Sequence, residues 1–456
     1  MLTSVVTTER PSQPDGCDRN HMLAQHDTRG HSSVVTAVVI SFVSSFSRRR
    51  SMLPLGKKIF VVGYYQTPFG KFGPLKVKEI VHNTLVGVSE AVPVPLDQVD
   101  TVSVAALLAQ PLLDQTLIAG LVASEPELAG KPIETLENAC SSGGMAILSV
   151  TQKILLGFAH VGIALGFEKM RNDEGKMDGV LIGKVLGTAS HPDDRPGKVY
   201  VFPHLFAEVM DRYMKAWGAT EEQFAHVPVT FYRHAQGNPY AQMRGVEMTV
   251  EKVLTIAGPN RYIAPNLPLK TFECSQVSDG AAALVLADEE GVLRLGIPRE
   301  RCAELVGFGQ ATDPLSIYGR DVLRPAGAYK AMKQAYDMAG IGPADIACAE
   351  VHDCFGIMGA LSVEILGLAE AGRGVHYYVE GKAALGGGGT PINTSGGLIA
   401  KGHPIGATGV AMVGWNYWQM TGKAPEACQV TNPKYAASFN IGGPICASVT
   451  TVLKAP

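Results

Sequence analysis

The chain alternates between two hydrophobic periods. Lys58-Ile-Phe-Val-Val-Gly63 is a continuous apolar run closed by glycine, and it predicts a buried strand. After a loop at Thr67-Pro-Phe-Gly-Lys-Phe72, residues 76–92 place Ile80, Thr84, Leu85 and Val88 on one helical face. Pro95-Leu-Asp97 breaks that helix, and Val99–Val104 reads as the next strand. The second half replays the order. Residues 328–339 set Met332, Ala335, Tyr336 and Ala339 on one helical face, Pro343-Ala-Asp345 follows, and strand-like Ile346–Val351 comes next. A Pro-x-Asp pair thus stands twice between a helix and a strand. The recurrence predicts two similar α/β halves, each alternating strands and helices around a sheet.

Residues 170–270 break this pattern. Met170–Gly197 is rich in Gly, Asp, Lys and Pro, while His204–Trp217 and Glu221–Ala235 predict helices. We read the segment as an insertion into the first half, of the kind that commonly builds a binding surface on an α/β scaffold. The first half resumes at Ser278-Asp-Gly-Ala-Ala-Ala-Leu-Val-Leu286, where small residues feed a buried strand, and Ile445–Leu453 predicts the last strand. The expected organisation is a leader over 1–56, an N-terminal half from 57–169 and 271–295, an inserted loop domain over 170–270, and a C-terminal half over 296–456.

Composition narrows the class. Of 456 residues, 46% are hydrophobic and 18% charged, which fits a large buried core rather than disorder. A net charge of −3 gives no electrostatic reason to expect nucleic acid. The eight cysteines include no CxxC pair and no Cys/His zinc spacing, so free thiols in a reducing compartment and no metal are expected. The leader carries Arg10, Arg19, Arg29 and Arg48-Arg49-Arg50 around a Ser/Val-rich run from Ser32 to Ser47. That run is shorter than the ~20 apolar residues of a membrane span. A basic, Ser-rich leader is expected to direct the chain to mitochondria, although Glu9, Asp15, Asp18 and Asp27 count against it and translation from Met52 is the alternative. The C-terminal Leu-Lys-Ala-Pro is not a peroxisomal address.

Three tight contexts carry candidate chemistry. Glu137-Asn-Ala-Cys140-Ser-Ser-Gly-Gly-Met145 puts a cysteine on a small-residue turn before a predicted helix. The helix N-terminus there would lower the thiol pKa from ~8.5 and offer N–H groups to an oxyanion. Alone, Cys140 reads slightly better as a structural turn residue; the other two sites reverse that. Glu350-Val-His352-Asp-Cys354-Phe355 ends a predicted strand, where sites of open α/β sheets lie, and its i, i+2 pair points one way. Asp353 is expected in a hydrogen-bonding role. Gly402-His403-Pro-Ile-Gly-Ala-Thr-Gly409 confines an imidazole between glycine and proline, a natural base for a thiol.

These motifs, in this order, resemble the thiolase superfamily over residues 57–456. Thr67-Pro-Phe-Gly-Lys-Phe72 and Ser275-Gln-Val-Ser-Asp-Gly-Ala-Ala282 extend the resemblance. Ordinary thiolases have Asn-Glu-Ala-Phe where this chain has His352-Asp-Cys-Phe355, and a late Cys-x-Gly where it has Asn440-Ile-Gly442. Both departures resemble the sterol carrier protein thiolases, as do Gly166-Phe-Glu-Lys-Met170 and Gly237-Asn-Pro-Tyr240. The resemblance implies a five-layer αβαβα fold and a loop domain holding coenzyme A as substrate, with no permanent cofactor. It implies a homodimer acting as a 3-oxoacyl-CoA thiolase; no membrane span is expected, and, with the chain ending soon after the strand expected at Ile445–Leu453, no sterol carrier domain is expected either. It further implies Cys140 as the acylated nucleophile, His403 as its base, and Cys354 as the acid/base replacing the cysteine lost at Asn440. His352 and His403 would form one oxyanion site, directly or through water, the N–H groups of Cys140 and Gly442 would form another, Ser275 would bind the pantetheine arm, and Phe355 would lie near the site. A decarboxylating ketosynthase using Cys140, His352 and His403, or a non-catalytic CoA-binding protein, are the alternatives.

Overall fold

The computed structural model describes residues 56–456, so the leader expected over 1–56 lies, apart from Gly56, outside the described residues. The first half contributes β1 (Phe60–Gln66), α1 (Val77–Ala91), β2 (Thr101–Ala105), β3 (Ile133–Leu136), α2 (Ser142–Leu155) and β4 (Val161–Glu168). Helices α3 (Gly179–Gly187), α4 (Val201–Trp217) and α5 (Glu221–Gly237) follow, and β5 (Gly280–Ala287) completes that half. The second half contributes β6 (Ala303–Thr312), α6 (Ala326–Ala339), β7 (Cys348–Val351), α7 (Gly356–Ile365), α8 (Ile405–Met420), β8 (Tyr435–Gly442) and β9 (Ala447–Lys454).

The strands form one sheet in the order β3-β2-β4-β5-β1-β6-β9-β8-β7. The repeat seen in the sequence is a repeat of topology. β2 runs parallel to β4, which meets β5 and then β1 antiparallel. In the same way β7 runs parallel to β8, which meets β9 and then β6 antiparallel. The halves join where Phe60 and Val61 of β1 pair with Glu304 and Ala303 of β6. Helix α1 packs on β1 and β5, and α6 on β6 and β9, while α2 and α8 pack on each other between the halves. The layers therefore run helix, strand, helix, strand, helix, as expected for the αβαβα class.

Burial explains the middle layer. Every residue of α8 except Trp418 is buried, as befits a helix that meets protein on all sides. Its approach to α2 needs glycine: a Cβ on Gly143 would stand 2.8 Å from Gly406 O. Two local expectations need correction. Gly63 does not end β1 but marks a register shift between Val61 and Gly63, so the strand continues to Gln66. The Gly-, Asp-, Lys- and Pro-rich segment after Met170, for which no helix is predicted, contains α3. Asp178 caps this helix by accepting from the N–H groups of Val180 and Leu181, and Gly183 gives room to Tyr200. The inserted region supplies no strand of the sheet. Among the described residues no helix is long and apolar enough to cross a membrane.

Candidate active site

Cys140 lies on the turn between β3 and α2. Ala139 takes the left-handed conformation (φ 49°), and Asn138 N–H donates to Ser142 Oγ at 2.8 Å while Ser141 Oγ donates to Asn138 O at 2.7 Å. These bonds turn the chain sharply into the helix and leave the half-buried thiol facing a cavity. Ser141 is the N-cap, so Cys140 stands one residue outside the helix. The expected lowering of its pKa is overturned. Burial, followed by the Glu168 carboxylate, pushes the thiol up to about 12. A helix terminus is worth ~0.3–1 kcal/mol, less than about one pKa unit, and desolvation exceeds it.

His403 comes from the loop entering α8. Its N–H donates to Ser278 Oγ at 3.0 Å, and Gly402 (φ 120°) leaves room for that hydroxyl. Nδ1 lies 2.7 Å from Thr408 Oγ1, whose own proton goes to Pro404 O at 2.9 Å. With its proton so used, the hydroxyl accepts, which puts the ring proton on Nδ1 and leaves Nε2 with a free lone pair. Burial pushes the His403 pKa down to about 3, so the ring is neutral at rest.

His352 is fixed differently. It follows β7, and its N–H donates to Phe439 O of β8 at 2.9 Å. Asn440 Nδ2 lies 3.0 Å from His352 Nδ1 and 3.0 Å from Cys140 O. Asn440 Oδ1 accepts from Gly144 N–H at 3.3 Å, so the amide cannot be reversed without facing donor to donor. Nδ1 of His352 therefore accepts, and its proton lies on Nε2, which has no partner among the described residues. Burial, reinforced by His403, holds this imidazole neutral.

Cys354 lines the same cavity as His352, as the i, i+2 spacing predicts. Burial, with Cys140 as the next contributor, raises its thiol pKa well above the ordinary value. Asp353 points away and accepts from Asn393 Nδ2 (2.8 Å) and from the N–H groups of Leu398 (2.7 Å) and Ile399 (3.1 Å), fixing the turn before His403. Ser275 N–H donates to Cys354 O at 2.9 Å, and Phe355 stacks on Phe206 with centroids 4.6 Å apart.

The cavity, of about 150 Å³, thus gathers Cys140, His352, Cys354, His403, Ser275 and Phe355. The N–H facing the thiol from the end of β8 belongs to Gly443, which also lines the cavity. Gly442, the residue expected from the motif, instead pairs with Ala447 and packs against Ser141 and Asn138. Sequence reasoning missed Thr408, although its i+5 spacing from His403 was visible. It also missed Phe202, Phe206 and Leu186, which line the cavity from the inserted helices. Glu168 was quoted only within a motif. It is buried at the end of β4, where it accepts from the N–H groups of Leu107 (3.2 Å), Leu108 (2.9 Å) and Gly406 (3.1 Å), and desolvation raises its pKa to about 7.

Cys140, His352 and His403 present donor atoms within 4.8 Å of one another. With the His352 proton on Nε2, only two of the three have a free lone pair, below the three protein ligands of a catalytic zinc site. The arrangement instead pairs a thiol with a basic nitrogen and an N–H donor.

Comparison with known proteins matches the chain over most of its described length. The family model of the thiolase N-terminal domain matches residues 59–255, and that of the thiolase C-terminal domain-like family matches 309–455. An acetyl-CoA acetyltransferase of Methanothermobacter thermautotrophicus is 33% identical over 391 residues, 85% of this chain and 97% of that one. Sterol carrier protein 2 of Oryctolagus cuniculus is 32% identical over 423 residues, 88% of this chain and 72% of that one. The crystal structure of human mitochondrial 3-ketoacyl-CoA thiolase superposes with a TM-score of 0.65 at 19% identity, covering 88% of this chain and 100% of the other.

Proposed function

The chain belongs to the thiolase family, and we propose that it is an acyltransferase cleaving 3-oxoacyl-CoA with a second coenzyme A, or running the reverse condensation, through an acyl-enzyme on Cys140. One observation carries the reading: Cys140 shares a cavity with an imidazole whose free lone pair is Nε2 and with another whose free proton is on Nε2.

Because thiol and His403 are both neutral at rest, the proton moves as the sulfur attacks. His403 Nε2 takes it while the S–C bond forms at the 3-oxo carbon. The His352 Nε2–H and the N–H groups of Cys140 and Gly443 supply donors for the negative oxygens that develop on the two carbonyls. The C2–C3 bond then breaks, and the acetyl-CoA enolate takes its proton from Cys354. In the second half the incoming CoA thiol gives its proton to the Cys354 thiolate and attacks the acyl group. Cys140 leaves as thiolate and recovers its proton from His403. Charge and protons balance over the cycle.

Coenzyme A enters as a substrate, its pantetheine arm passing Ser275 and its remainder lying on the inserted region over 170–270. The same proposal includes a homodimer and mitochondrial import through the leader, checked by light scattering and by following a leader–reporter fusion in cells. The function itself is tested by mixing purified protein with acetoacetyl-CoA and CoA and following the enolate absorbance. Loss of absorbance that depends on CoA and on Cys140 is expected; none at any CoA concentration contradicts the reading for this substrate class.

A further inference from the structure

Asn440 occupies the position where ordinary thiolases carry a cysteine, and it has no acid/base chemistry to offer there. Its surroundings assign it a different task. It lies on β8, 2% exposed, and its side chain hydrogen-bonds both the nucleophile's turn and His352. Three bonds fix the amide: Oδ1 accepts from Gly144 N–H, one Nδ2 hydrogen goes to Cys140 O, and the other goes to His352 Nδ1. Gly144 and Gly409 make the room, since a Cβ on Gly144 would stand 3.0 Å from Oδ1 and one on Gly409 would collide with the same atom. Both ends of the amide are therefore fixed by backbone groups of unambiguous polarity, and its orientation is not free to follow the imidazole.

We propose that Asn440 is a positioning residue that holds His352 as its Nε2–H tautomer, so that an imidazole N–H is already aimed at the reacting carbonyl before substrate arrives. The buried Nε2, without a partner among the described residues, is the other half of this observation. A neutral imidazole can present either a proton or a lone pair to the cavity, and only the group at Nδ1 decides which. Without Asn440, two lone-pair nitrogens could face one thiol and no side-chain donor would await the oxyanion. The catalytic consequence rests on the thiolase reading; the tautomer does not.

The experiment is the nitrogen–proton multiple-bond NMR spectrum of the full chain with ¹⁵N-labelled histidine, the His352 signals being identified by their loss in His352→Asn. In the wild type, Nε2 is expected as the protonated nitrogen and Nδ1 as the bare one. In Asn440→Asp a carboxylate oxygen replaces the donor, and the proton is expected to move to Nδ1. The same variant should lose about 100-fold in kcat, with KM moving by less than about threefold, the scale of removing one oxyanion donor. A wild-type spectrum with Nδ1–H overturns the proposal whatever the variant does, and so does an Asn440→Asp protein that keeps Nε2–H. An Nε2–H wild type that cleaves no 3-oxoacyl-CoA would sink the proposed function and leave the positioning role standing.

Discussion

The rings of His352 and His403 meet edge to face, centroids 5.0 Å apart and planes at 87°, and they carry their protons on opposite nitrogens. Two histidines side by side are usually interchangeable on paper. Here Asn440 and Thr408 divide the work, making one a donor and the other a base.

Thr408→Val tests the His403 half of this division. Valine keeps the shape but removes the oxygen that accepts the Nδ1 proton, leaving a buried donor unsatisfied. Losing such a bond costs ~1–3 kcal/mol, so kcat for acetoacetyl-CoA thiolysis is expected to fall about 10- to 100-fold. A rate within twofold of wild type would mean that the tautomer of His403 is set elsewhere.

Burial also fixes the pH dependence. An exposed histidine would protonate near pH 6.5 and stop acting as a base below it. His403 is held near 3 because desolvation disfavours the cation, so it keeps its lone pair throughout the range where the enzyme is assayed. Glu168, raised to about 7, becomes neutral as pH falls and removes a charge that opposes the Cys140 thiolate. No acid limb in kcat/KM is expected between pH 7 and 5. A limb centred near 6.5 would show that His403 titrates as an exposed ring.

Glu168→Gln isolates that charge. Without the carboxylate the Cys140 thiol should titrate lower and react faster with iodoacetamide at pH 8. The cost is stability, because the amide keeps one oxygen for the Leu107 and Gly406 N–H groups or for that of Leu108 and turns its NH2 on the other side, at about 1–3 kcal/mol for each group left unsatisfied. Unchanged alkylation in a folded variant would remove Glu168 from the electrostatics of the thiol.

Much of this was legible in the sequence, and the exceptions share a cause. Cys140, His352, Cys354 and His403 each stand in a short motif whose glycines, proline or strand end are local, so the chain itself announces them. The two halves were legible because Pro95 and Pro343 punctuate the same helix–strand order. Asn440 beside His352 was not, since it depends on β7 pairing with β8 across a long stretch of chain. The Cys140 pKa was misjudged because a helix dipole is a local feature and desolvation is not. Helix α3 was hidden by glycines at 179, 183 and 187, which its sequence propensity penalises but its packing uses.

Phe206→Ala addresses substrate size. Phe206 is buried against Phe355 and Phe202 and walls the cavity. Its removal should destabilise the protein by about 3–5 kcal/mol and open space for a longer acyl chain. The ratio of kcat/KM for a 3-oxooctanoyl over a 3-oxobutanoyl thioester should rise by at least about tenfold. A constant ratio would place the acyl chain elsewhere.

The claim on which everything else depends is that Cys140 carries the acyl group and Cys354 only moves protons. Cys354→Ala separates the two. Incubated with acetoacetyl-CoA and digested, this variant should still accumulate the acetyl adduct on the peptide containing Cys140, though more slowly, because attack and base are intact and the enolate must take its proton from water. Steady-state thiolysis should fall by at least about 100-fold, the scale of a general acid–base contribution. An unmodified Cys140 peptide beside a modified cysteine elsewhere, or a variant turning over at the wild-type rate, would contradict the account.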